Sequence, residues 1–285
     1  MTKLFDRVAI AGVGLIGGSL GLAAKKAGLV GELIGLGRTR SNLDVALARG
    51  LVDRVTQDPC EAVRDADAVV LAVPVAAMAP LAARMAPALR AGAVVTDVGS
   101  VKARVVREMR AALPAAVHFV GAHPIAGTED SGAAAARLDL FRGAPCVLTP
   151  TPETNTEALE KIRALWRGVG GEVEELTPER HDEILAWVSH VPHMLAFALV
   201  NACPSGAPRF AGPSFRDATR VAASDTTMWR DIALYNGDAI VAALRALADG
   251  LERLRDAIER GDGEALTKLF AEARAARQRI EDERS

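Results

Sequence analysis

Two hydrophobic patterns alternate along the first 177 residues. The runs at 8–11 and 68–73 have no polar face, which is how a strand reads when a parallel sheet covers both its sides. Further strand-like segments lie at 32–36, 53–56, 93–97, 118–121, 145–148 and 172–176. Between them, residues 20–27, 42–49, 76–89, 101–113 and 157–169 carry helical periodicity, with apolar side chains three and four apart. Strands alternating with helices over short connections predict a doubly wound, mostly parallel α/β sheet. The longest apolar tract, 66–83, is interrupted by Asp67, Pro74 and Pro80, so it reads as a buried strand and a helix and not as a membrane span.

The pattern changes at Thr177-Pro178-Glu179, a helix start with proline in its first turn. Beyond it no strand-like stretch occurs. Residues 179–202, 224–260 (one helix or two) and 263–283 are helical, and the Pro- and Gly-rich 204–213 is a loop. This predicts two domains, an α/β domain over 1–177 and an all-helical one over 178–285. Helices this long and thin make a poor core alone. An intertwined homodimer would bury them, and a monomer with helices folded back on the sheet is the competing arrangement.

The first strand and helix are joined by V-A-I-A-G-V-G-L-I-G-G-S, residues 8–19. Gly12-x-Gly14-x-x-Gly17 between a buried strand and a helix is the Rossmann dinucleotide fingerprint. Gly12 permits the turn, Gly14 lets backbone approach a pyrophosphate, and Gly17 allows helix to pack on strand. Leu15 and Ile16 bring their amides to the helix N-terminus, where the dipole favours phosphate. The competing reading is a βα turn that binds nothing. About 20 residues after such glycines an acidic side chain would bind the ribose of NAD. Here the second strand ends in Gly37-Arg38-Thr39-Arg40-Ser41 without a carboxylate, which favours NADP over NAD; exposed loop arginines are the alternative.

Composition narrows the partners. A net charge of −2, from 34 basic and 36 acidic residues, makes no electrostatic case for nucleic acid or an acidic membrane. Cys60, Cys146 and Cys203 are unevenly spaced and form no CxxC pair, which with the absence of a signal-like segment predicts a cytoplasmic protein.

Ligands of open α/β sheets bind outside the carboxyl ends of the strands. Those ends carry the glycine loop, Val73-Pro74, Asp97-Val98-Gly99-Ser100 and Gly121-Ala122-His123-Pro124. Topology therefore turns His123 and Ser100 towards the cofactor crevice, although a lone histidine is more often structural. His190 and His193 share one helix face. They admit three readings: a pair at a helix contact, a histidine facing substrate, or metal ligands. The metal reading lacks a third ligand, and no metal is expected. Arg216 and Arg220, one helical turn apart, supply cations beside Asp217, a pattern that solvated surface charge would also give.

Five segments together resemble the prephenate/arogenate dehydrogenase family. They are the glycine loop, D-V-G-S-V-K (97–102), G-A-H-P-I-A-G-T-E-D-S-G (121–132), S-H-V-P-H (189–193) and F-R-D-A-T-R with S-D-T-T-M-W-R-D-I (215–232). The resemblance implies oxidative decarboxylation of prephenate to 4-hydroxyphenylpyruvate, or of arogenate to tyrosine. It implies His123 as the catalytic base and Ser100 as the residue that orients it. It also implies that Arg220 holds the ring carboxylate and His193 contacts substrate, leaving His190 structural. Gly212-Pro213-Ser214-Phe215 and Ala218 depart from the family's glycine-rich pattern, so side-chain discrimination is not carried over. Two alternatives share this organisation. A β-hydroxyacid-type dehydrogenase would need a lysine in its second domain, where only Lys268 occurs. A non-catalytic NADP-binding sensor would need no convergence of His123, Ser100 and Arg220.

Overall fold

A computed structural model describes residues 3–127 and 130–282; Thr128 and Glu129 of the 121–132 motif lie outside the described residues. The chain divides into two compact units, residues 1–237 and 238–285.

The first unit opens with β1 (Phe5–Ala11), α1 (Leu15–Lys26), β2 (Val30–Leu36), α2 (Arg40–Ala48), β3 (Arg54–Thr56), α3 (Pro59–Val63) and β4 (Ala68–Leu71). It continues with α4 (Val75–Met85), β5 (Val94–Asp97), α5 (Ala103–Ala112), β6 (His118–Pro124), β7 (Pro145–Thr149), α6 (Thr156–Gly168) and β8 (Glu172–Glu175). The strands form one sheet in the order β3-β2-β1-β4-β5-β6-β7-β8. Neighbours are parallel except β6 and β7. Strand order reverses beside β1, which creates the crevice a doubly wound sheet uses for ligands.

Side-chain alternation in β1 explains the two cores. Val8 and Ile10 enter a cluster with residues of α1, α2 and α6, while Ala9 and Ala11 enter one with α3, α4 and α5. The short α3 was not anticipated. Asp58 caps it, accepting from the amides of Cys60 and Glu61, with Pro59 in the first turn.

Strand β6 runs three residues past the expected end at 121, and the cause is its second neighbour. β5 pairs only with 118–120, whereas antiparallel β7 pairs with Gly121, Ala122, His123 and Pro124. The overhang beyond β5 holds His123 in extended backbone at the edge of the crevice.

The helical part of this unit comprises α7 (Pro178–Leu185), a wide π turn (Ala186–His190), α8 (Val191–Ala202), α9 (Pro213–Thr219), a short 3-10 turn (Arg220–Ala223) and α10 (Thr226–Tyr235). Thr177 caps α7 by accepting from the Arg180 amide. The π turn precedes Pro192, which has no N–H to continue the ladder. The run Pro178–Ala202 is long and apolar enough to cross a membrane by length and composition. The π turn lies inside this run, however, and His181, Asp182 and His190 are buried in protein. Trp229 and Ile232 of α10 pack with Val101, with Met194 and Phe197 of α8 against them. Helices of the second half therefore fold onto the end of β5.

The expected helix at 224–260 is two, α10 and α11 (Gly237–Glu259), and α12 (Gly263–Asp282) follows. The second unit consists of α11 and α12 joined through Gly261, whose φ of +65° suits the turn that ends α11.

Candidate active site

The glycine loop has the shape a dinucleotide requires. At Gly12 (φ +97°) a Cβ would stand 2.1 Å from the Ala72 carbonyl oxygen, and at Gly17 another would stand 2.1 Å from the Gly12 oxygen. Both positions exclude any side chain. A Cβ at Gly14 would meet nothing within 4 Å, so that face opens outward. No side chain caps α1, which leaves the amides around Leu15 and Ile16 available to an anion. Val73 and Pro74 stand beside the loop, with a Val73 methyl 3.1 Å from that built Gly12 position. These features fit a pyrophosphate. Beyond β2, Arg38 and Thr39 are exposed, and Arg40 is held by Asp44 at 2.8 Å.

Under the crevice lies a fully buried ion pair, Asp97 with Lys102. Asp97 Oδ2 also accepts from the Gly99 amide at 2.9 Å, and its Oδ1 accepts from the Ala122 amide at 3.1 Å. Lys102 Nζ donates in addition to the Ala122 carbonyl at 2.7 Å. One pair thus fixes the turn carrying Ser100 and the strand residue preceding His123.

His123 is 9% exposed, and its Nδ1 lies 2.8 Å from His181 Nε2. His181 Nδ1 lies 2.8 Å from Asp182 Oδ1. Asp182 in turn accepts from the amides of Lys102 (2.7 Å) and Ala103 (2.9 Å), at the start of α5. Burial drives the His123 pKa well below its ordinary ~6.5, and His181, Lys102 and His190 push the same way. His123 is accordingly neutral at physiological pH.

His190 is fully buried. Its Nδ1 meets the Asn236 amide at 3.0 Å, and burial lowers its pKa to about 4. His193 is partly exposed, stacks on Trp229 with ring centroids 3.6 Å apart, and donates through Nδ1 to the Ser189 carbonyl. Because Trp229 packs on Val101, His193 stands near the Ser100 turn. Arg220 is exposed on its 3-10 turn against α8, the helix that carries His193. Ser100 and His123 thus come from the sheet, and His193 and Arg220 from the helices above it. Among the described residues no group of three His, Cys, Asp or Glu is placed to hold a metal.

Reading the sequence singled out neither His181 nor Asp182, nor the pairing of Lys102. A signal was present: Pro178, His181, Asp182 and Leu185 form the buried stripe of α7, so two polar residues sit where that helix faces the core.

The chain as a whole is similar to known proteins in sequence and fold. The family model for the prephenate dehydrogenase nucleotide-binding domain matches residues 20–175, and that for the prephenate dehydrogenase dimerization domain matches residues 177–272. A cyclohexadienyl dehydrogenase from Zymomonas mobilis is 40% identical over 96% of this chain and 96% of its own. A Bacillus subtilis prephenate dehydrogenase is 35% identical over 96% of this chain and 76% of its own. The crystal structure of Aquifex aeolicus prephenate dehydrogenase with hydroxyphenyl propionate and NAD+ superposes with a TM-score of 0.90 at 34% identity, covering 96% of this chain and 98% of that one. With the glycine cradle, the buried neutral histidine and both family domains in order, this chain belongs to the prephenate dehydrogenase family.

Proposed function

We propose that this chain oxidatively decarboxylates prephenate or arogenate, using NADP in preference to NAD, with His123 as the base. The observation that carries the reading is a neutral, buried imidazole at the crevice edge, on a strand overhang clamped by Asp97 and Lys102. Gly12, Gly14, Leu15, Ile16 and Gly17 would hold the pyrophosphate, with Val73 and Pro74 lining the crevice. Arg38 and Thr39 would meet a 2′-phosphate, and Arg40 less so because Asp44 engages it. When bound, the nicotinamide supplies the hydride acceptor.

The protein's own part is positioning and proton transfer. As hydride leaves the ring carbon bearing the hydroxyl, His123 takes the hydroxyl proton, which the uncharged ring can do at neutral pH. Loss of CO2 sends the freed electron pair into the ring, and the proton returns to the phenolate oxygen. Ser100 would orient His123, and Arg220 would hold the departing carboxylate by charge-assisted hydrogen bonds. His193 faces substrate, its ring held by Trp229 and Ser189. His190 is structural, and no step needs a metal. Exposed Trp187, Val188, Leu195 and Leu199 around α8 suit the homodimer that the dimerization-domain match suggests.

Cofactor reduction followed spectroscopically with prephenate, arogenate and simple hydroxy acids tests the reading. Turnover is expected with the first two classes only. His123→Asn should lower kcat by ~10²–10⁴ while cofactor still binds, and Arg220→Ala should mainly raise KM. Undiminished kcat in His123→Asn would remove the base assignment.

A further inference from the structure

We propose that His181, anchored by Asp182, is a positioning residue that holds His123 as its Nδ1–H tautomer and so presents Nε2 as the proton acceptor. The inference rests on His123 being the base, and it adds which nitrogen acts and what selects it.

The donor count forces the assignment. Asp182 carries backbone amides on both oxygens, from Lys102 on Oδ1 and Ala103 on Oδ2, and at 4% exposure it is an acceptor surrounded by donors. His181 Nδ1, 2.8 Å from Oδ1, must therefore donate. A neutral His181 then has only a lone pair at Nε2. That lone pair faces His123 Nδ1 at 2.8 Å, so His123 must donate there. The free nitrogen of His123 is consequently Nε2, without a proton. The reverse arrangement requires a positive His181. Burial and the Lys102 ammonium oppose that charge, and together they outweigh Asp182 and Asp97, which favour it. The groups facing His123 are His181, Lys102 and His190, and none is an anion that would charge it directly.

The arrangement also answers where the charge goes. Once Nε2 takes a proton, the imidazolium keeps its Nδ1–H bond to His181, whose own N–H is already committed to a carboxylate. A fixed, dry chain of donors and acceptors needs no reorganisation when the charge forms. The same Asp182 ties α7 to the first amides of α5, so the tautomer and the seat of the Ser100 turn are set by one side chain.

Nitrogen-15 NMR of the histidine rings in the wild-type protein reads the tautomer directly. A protonated Nδ1 and bare Nε2 at His123, assigned by their loss in His123→Asn, are expected; an Nε2–H form overturns the proposal whatever any variant does. His181→Leu, which cannot accept a bond, should lower kcat roughly 10- to 100-fold with KM changed less than about threefold. It should mix the His123 tautomers and move the acid limb of the kcat/KM profile. His181→Gln, whose carbonyl can accept from Nδ1, should recover most of the loss. If the leucine variant keeps the wild-type tautomer and pH profile, or glutamine restores nothing beyond leucine in a folded protein, His181 is packing alone. Active His123→Asn would instead sink the base assignment and leave the tautomer result standing.

Discussion

Lys102→Met is the most informative single perturbation of this fold. Lys102 and Asp97 are both 0% exposed, and methionine keeps the apolar stem of the lysine while deleting its ammonium group. Asp97 would keep two amide donors, from Gly99 and Ala122, and lose its only charged partner among the described residues. Removing one half of a buried ion pair costs on the order of 3–5 kcal/mol, because the surviving charge is stranded away from water. Against a typical total of about 5–15 kcal/mol, that is a large fraction of the stability. Function should suffer as well. Lys102 Nζ holds the Ala122 carbonyl, one residue from His123, so freeing it loosens the base before the sheet itself melts. The double variant Asp97→Asn/Lys102→Met strands no charge, and its single amide oxygen still accepts from one of the Gly99 and Ala122 amides while the other is lost. It should therefore be more stable than Lys102→Met alone, a non-additivity on the order of 1–3 kcal/mol. Denaturant unfolding of wild type, both single variants and the double, at one pH and one protein concentration, measures the cycle. A cost below about 1 kcal/mol for Lys102→Met, or a double variant no better than it, would refute the reasoning.

Three further outcomes follow from other parts of the molecule. Arg38→Ala should lower kcat/KM with NADP by roughly tenfold or more and leave NAD nearly unchanged, since it removes a phosphate partner and no ribose contact; equal losses with both cofactors would reject the 2′-phosphate role. Acid should destabilise the fold between pH 6.5 and 4 through His190, whose pKa falls to about 4 on burial. A folded-state value below the unfolded one means protons bind the unfolded chain better, so this stability is complete above ~6.5 and drains as pH falls, by about 3 kcal/mol in all. His190→Gln should flatten that slope in pH-dependent melting, and an unchanged slope would assign the acid sensitivity elsewhere. Leu199→Glu, on the exposed apolar face of α8, should halve a light-scattering mass of about twice 29.9 kDa, whereas a wild-type monomer would remove the dimer proposal.

What the sequence made legible, and what it hid, divides by the range of the cause. The glycine loop could be read because its spacing is local even where its causes are not: Gly17 answers to the Gly12 carbonyl five residues back, whereas Gly12 answers to Ala72 just past β4. The strands β4 and β5, buried at every position, announced themselves by composition. The overhang of β6 did not, because what extends it is β7, more than twenty residues later and antiparallel in an otherwise parallel sheet. Helical periodicity does not show the break between α10 and α11, where Asn236 turns its side chain to the Asp182 carbonyl.

The candidate site follows the same division. His123 and Ser100 were placed by topology, because strand ends of such a sheet face the crevice whatever surrounds them. The residues that control His123 were missed, although two of them sit on the buried stripe of α7. Periodicity asks only whether a position is apolar, so a polar residue on a buried stripe registers as noise. Physically it is the opposite. A carboxylate and an imidazole brought into a core at real desolvation cost must have partners there, and that requirement makes their positions specific. In α7 the two exceptions to the apolar stripe are therefore its most informative residues: the partners that burial forces on His181 and Asp182 are His123 and the amides beginning α5.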